Sequence, residues 1–125
     1  MQYMLLIYQN EKAQSAMNAE ERNRIFGEFM QFTSDIKASG HFRAGDALQP
    51  IATATSVRVR GGKTQTTDGP FAETREQLGG YFLIEANDLD EAIDIAGRIP
   101  GARKGTVEIR PVVRLDGLPP EKSPA

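Results

Sequence analysis

Four polar residues lie on or beside strand-like stretches where their side chains could do chemistry: His41, Asp46, Asp68 and Arg110. A histidine near a carboxylate could act as a general base with a tuned pKa. Asp46 stands between Gly45 and Ala47, small neighbours that could admit a ligand. Arg110 could pair with Asp68, or hold a substrate carboxylate with both arms of its guanidinium. Each also has a plainer reading. His41 follows the helix-ending Gly40, where a protonated ring favours the helix C-terminus. Asp46 could be a strand-end turn carboxylate, and Asp68 could satisfy backbone donors in its own Asp-Gly-Pro turn. The functional expectation is one pocket shared by Asp46, Asp68 and Arg110. It would lie near Gly79-Gly80, where two missing side chains leave room for close approach to the backbone.

The elements that must position these residues follow from a chain of 125 residues, enough for one domain with its own core. Fifteen basic and seventeen acidic residues leave a formal net charge of −2. That balance gives no electrostatic footprint for nucleic acid or an anionic membrane. Without cysteine there is no disulfide framework, thiol nucleophile or thiolate metal site. With a single histidine no metal centre is expected, and no cofactor either. The apolar run from Tyr3 to Tyr8 is too short for a membrane span, and its flank lacks the charge of a signal peptide. The expected compartment is the cytoplasm.

Tyr3 to Tyr8 reads as a strand apolar on both faces, so it belongs in the centre of a sheet. Gln9 to Met17 reads as a polar connection. Asn18 and Glu21 have the spacing of a helix start. Ile25, Phe29, Phe32 and Ile36 then form a buried stripe, with Phe26 and Met30 widening it, until Gly40. A strand region from His41 stops at Pro50. Thr55 to Arg60 alternates strictly, which points Val57 and Val59 inward and Arg58 and Arg60 outward. Gly61-Gly62 makes a hairpin turn, and Lys63 to Thr67 returns. The strand Gln77 to Glu85 comes next, then a helix capped by Asp88 that buries Leu89, Ala92, Ile93 and Ala96. Thr106 to Arg110 is the last strand. From Leu115, the prolines at 119, 120 and 124 mark a tail over residues 115–125, outside a domain of residues 1–114.

The order strand, helix, strand with hairpin, strand, helix, strand gives an α+β sheet covered by helices on one face. The other face would be a large apolar patch in a monomer, so a homodimer packed sheet to sheet is expected.

Asp68-Gly69-Pro70-Phe71, followed by Glu73-Thr74-Arg75-Glu76-Gln77-Leu78-Gly79-Gly80-Tyr81, resembles the signature of the DGPF-domain family within the YCII-related proteins. The likeness runs from Met4-Leu5-Leu6-Ile7-Tyr8 through Ala47-Leu48-Gln49-Pro50 to Ile109-Arg110-Pro111-Val112. It implies a ferredoxin-like sandwich with an inserted β-hairpin, paired into a dimeric α+β barrel. It also implies that Asp68, Glu73 and Arg75, as parts of the branch's own signature, carry a role. Catalytic members of the broader group are implied to use a histidine on the first helix with an aspartate. Counted back from Gly40, that histidine's place falls on Phe29, and the group's Asp-Pro pair after the second helix falls on Ile99-Pro100. A carried-over acid–base dyad is therefore not expected.

Two readings follow. In the first, Asp68 and Asp46 are catalytic in a lyase or isomerase step on a small organic molecule, with Arg110, Glu73, Arg75 and His41 holding the substrate. In the second, the chain is a non-catalytic module for a small ligand or a partner protein. The association of similar proteins with alternative sigma factors would link that module to transcriptional signalling. A titratable group of strongly shifted pKa in a closed pocket would favour the first. An open apolar groove would favour the second.

Overall fold

Tyr3, Leu5 and Ile7 alternate with Met4, Leu6 and Tyr8 along β1 (Gln2–Gln9), and only the first set is buried. That asymmetry orders the rest of the molecule, a computed structural model that describes residues 1–114. The expected proline-rich tail lies outside the described residues.

β1 runs antiparallel between β5 (Gln77–Glu85) and β6 (Thr106–Pro111), and β5 pairs on its other side with β2 (Phe42–Ala47). The sheet order is β2-β5-β1-β6, so the run from Tyr3 to Tyr8 is central, as its apolar character requires. This order, with helices on one face, agrees with a ferredoxin-like α+β arrangement. A separate two-stranded hairpin, β3 (Thr55–Arg60) and β4 (Lys63–Asp68), is inserted between β2 and β5. It closes on Gly61 and Gly62, whose φ angles of 59° and 76° give the left-handed turn that matches strand twist.

α2 (Ala19–Ala38) starts where the Asn18 side chain accepts the Glu21 N–H at 2.8 Å. It ends in a Schellman turn. Gly40, at φ 83°, donates to the Lys37 carbonyl at 3.1 Å, and His41 donates to that of Ile36 at 2.9 Å. α3 (Leu89–Gly97) is capped by Asp88, which accepts the Glu91 N–H at 2.9 Å. Phe32 and Ile36 of α2 meet Leu5, Phe82 and Ile84 of the sheet in one core, which Ala92, Ile95 and Ile99 complete. Phe32 and Phe82 pack edge to face, 5.2 Å between centroids. Each wholly buried Leu or Ile contributes roughly 1.5–3 kcal/mol.

Four expectations are corrected. The connection Gln9 to Met17 contains a short helix, α1 (Glu11–Ser15), begun by Asn10, whose side chain accepts the Ala13 N–H at 3.0 Å. It buries no residue, so no apolar periodicity announces it. Phe26 and Met30 are not core: they are 66% and 56% exposed. Val57 and Val59 are also exposed, because strict alternation defines two faces of a hairpin but this hairpin's valine face packs on neither helix nor sheet. On α3 the buried stripe is Ala92, Ile95 and Ala96, continued by Ile99, while Leu89 and Ile93 are about half exposed.

Candidate functional site

Under α2, from Arg22 to Lys37, the sheet presents three glycines beside the side chains of Ile7, Phe42 and Phe82. Gly45 of β2 and Gly79 and Gly80 of β5 lie there. A Cβ on Gly80 would come 2.9 Å from the Asp46 carbonyl oxygen, so it is the chain's own β2 backbone that approaches this glycine. A Cβ on Gly45 would come 2.6 Å from the Phe82 ring. Above this floor a cavity of about 970 Å³ remains, within the usual size of ligand pockets. Its roof is Phe26, Phe29 and Met30 of α2, and Phe42, Phe82 and Ile7 line the sheet side. The exposure of Phe26 and Met30 thus has a place: they border a cavity instead of filling a core.

One end is polar, and α1 makes it. Gln9, Glu11 and Gln14 line it together with Gln77 of β5. The Glu11 carboxylate accepts the Ile51 N–H at 3.0 Å, and the Glu11 N–H donates to Gln77 Oε1 at 2.9 Å. Gln14 donates to Gln9, and the two amides separate the cavity from a smaller one of about 230 Å³ on the far side of α1.

Of the site residues expected from sequence, Asp46 alone lines this cavity. Its carboxylate is turned away, accepting the Tyr81 hydroxyl at 2.8 Å. Tyr81 stands opposite Asp46 in the ladder and next to the core-facing Phe82, so the pair lies on the sheet face away from the helices. Arg110 is on that same face, opposite Met4, but on the other edge strand. Three strand spacings put it about 14 Å from β2. Asp68 is exposed at the end of β4 and makes no side-chain hydrogen bond or ion pair among the described residues. Asp68 therefore does not satisfy backbone donors in the turn as expected, and the chain bends at Gly69, whose φ is 95°. Glu73 and Arg75 are exposed in the irregular segment before β5, outside the cavity. His41 is engaged elsewhere: Nδ1 is 2.7 Å from Ser39 Oγ and Nε2 is 3.5 Å from a Glu91 carboxylate oxygen, tying the end of α2 to the start of α3. The structure brings Asp46, Asp68 and Arg110 to three separate places.

The shifted titratable groups also lie outside the cavity. The Tyr81 hydroxyl is held above its ordinary pKa by its hydrogen bond to Asp46 and that carboxylate's charge. Tyr8 is raised by partial burial and then by the charge of Glu108, to which it donates at 3.3 Å. Glu85 is lowered by the hydrogen bond from the Met1 amino group. Among the described residues no three His, Asp or Glu side chains gather as a metal-binding group, and no helix is long and apolar enough to cross a membrane.

With this geometry in hand, comparison with known proteins is decisive for ancestry. The model of the YCII-related domain matches residues 1–116. The chain belongs to the YCII-related family. An uncharacterised protein of Rhizobium meliloti (strain 1021) is 36% identical over 114 residues, covering 90% of this chain and 92% of that protein. Within this YCII-related chain, Phe29 lines the cavity. Sequence reasoning missed Glu11, Arg22 and Gln77, which also line it. Its available signal was the excess of large apolar residues on α2: Phe26 and Met30 widen the stripe beyond what a single sheet face can cover.

Proposed function

We propose that this YCII-related protein binds a small, largely apolar organic molecule in the cavity between α2 and the β2–β5 side of the sheet. The observation that carries the reading is the glycine floor opposite Phe26, Phe29 and Met30, an apolar space with hydrogen-bonding side chains gathered at one end. A non-catalytic binding module is favoured over a lyase or isomerase. Glu11 is the carboxylate that faces the cavity, and it is held by the Ile51 N–H; that of Asp46 points to the other face. The link to signalling rests on the resemblance alone.

The test uses the neutral fluorophore N-phenyl-naphthylamine and mass spectrometry of molecules co-purifying with the protein. The expected result is saturable binding near one probe per chain, abolished by Met30→Glu, which sets a charge at the cavity mouth. No binding, or binding indifferent to Met30→Glu, would overturn the reading.

The same proposal includes a homodimer through the uncovered sheet face. Met4, Leu6 and Leu83 are only half-buried there and form a contiguous apolar strip across β1 and β5. Light scattering is expected to give twice the chain mass for the native protein and the single mass for Leu6→Arg. A native monomer at micromolar concentration would remove this part and leave the ligand reading intact.

A further inference from the structure

Resting on the cavity reading above, we infer that the ligand is an organic anion, with its acidic group at the α1 end and its apolar body under α2. The argument is one of unbalanced charge. Three cations line the cavity: Lys12 on α1, and Arg22 and Lys37 on α2. None of them takes part in an ion pair among the described residues. Nearby cations behave otherwise, since Arg24 and Arg103 reach Glu28, and Lys104 reaches Glu21. The carboxylates at the cavity do not balance the three. Glu11 keeps its negative charge while accepting a backbone N–H, so it offsets one of the three, and the carboxylate of Asp46 is on the far face with Tyr81.

The placement of the cations decides which end takes the acid. Arg22 and Lys37 are fifteen residues apart on one helix, about 22 Å of rise. Arg22 donates to the Met17 carbonyl at 2.8 Å, which holds its guanidinium beside the α1–α2 connection. Gln14 and Gln77 line this end, each with one amide N–H given to the protein, to Gln9 and to the Thr74 carbonyl, and the second N–H left for a ligand. Lys37 lies at the other end, its ammonium 4.9 Å from the centre of the Phe42 ring, a position already stabilised by that ring. Two cations beside amide donors suit a carboxylate or sulfonate, and the Phe-rich remainder suits its hydrocarbon. The whole chain carries a net charge of −2, so a preference for anions would have to be local.

The experiment compares N-phenyl-naphthylamine with anilinonaphthalene sulfonate, the same scaffold carrying one sulfonate. The sulfonate is expected to bind about tenfold more tightly at low salt, and the advantage should shrink as salt screens the exposed cations. Lys12→Gln with Arg22→Gln should bring the ratio of sulfonate to neutral-probe affinity, both measured on that variant, down to about one. Lys12→Gln alone, which leaves the Met17 contact in place, should remove part of the advantage. Lys37→Gln should have the smallest effect. If both probes bind the native protein equally, or the double variant leaves the ratio of their affinities as it was, the anion inference is overturned while the cavity reading stands. If neither probe binds, both fall.

Discussion

The Asp46 carboxylate accepts the Tyr81 hydroxyl at 2.8 Å on the sheet face opposite the cavity that Asp46 borders. Across the sheet, Tyr8 donates to Glu108 at 3.3 Å, so two tyrosine–carboxylate pairs flank Leu6 on the same face. Both tyrosines are raised, Tyr81 first by its hydrogen bond to Asp46 and Tyr8 first by partial burial. A raised folded-state pKa contributes stability that is present below the ordinary tyrosine value, about 10, and is lost as pH rises through the folded value. Stability is therefore expected to fall in the alkaline range. Asp46→Asn should bring the Tyr81 titration, followed by ultraviolet absorbance, back toward the ordinary value and soften that fall. A tyrosinate titration unmoved by Asp46→Asn would contradict the assignment.

Phe82 and Phe29 are both aromatic and both near the cavity, yet their truncations should differ. Phe82 is 8% exposed and packs on Phe32, so Phe82→Ala should cost about 3–5 kcal/mol. Phe29 is only partly buried and borders open space, so Phe29→Ala should cost about 1 kcal/mol, half the transfer value of a buried side chain. Urea midpoints of the two variants decide it, and equal losses would place Phe29 in the core.

That contrast marks how far the sequence could be read. The order of elements along the chain and the helices α2 and α3 were legible because Leu5, Phe82, Phe32 and Ile36 carry the correct periods and Asn18, Gly40 and Asp88 the correct caps. Faces were less legible. Alternation in Val57 and Val59 cannot say that no layer covers them, and Phe26 and Met30 read as core unless the glycines opposite are known to lie beneath them. The candidate site was the least legible part, since it depends on Gly45, Gly79 and Gly80 meeting α2 and α1 in space. Asp46, Asp68 and Arg110 are separated by strand register and by the hairpin's pairing apart from the main sheet, neither of which is written in residue type, although the hairpin's own turn at Gly61-Gly62 is.

Gly45→Ala tests the floor directly. Its new methyl would meet the Phe82 ring at 2.6 Å and the Tyr81 carbonyl oxygen at 3.2 Å, and Phe82 is fixed between Phe32 and Phe42. A loss of about 1–3 kcal/mol is expected, the range for overpacking a filled site. An unchanged denaturation midpoint would mean that the ring can swing into the cavity.

Asp68→Asn separates the signature turn from the cavity. The side chain is exposed, without a hydrogen bond or ion pair among the described residues, and the turn is held by other groups instead. Gly69 donates to the Ala54 carbonyl at 2.6 Å, and Ser56 Oγ donates to the Gly69 carbonyl at 2.8 Å. Removing the charge and keeping the shape should change stability by less than about 0.5 kcal/mol, as for other surface substitutions. Binding of the neutral and sulfonated probes should be unaffected, because Asp68 does not line the cavity. Loss of probe binding in Asp68→Asn, with the urea midpoint preserved, would return the turn to the functional site and require the hairpin to close over the cavity when ligand is present.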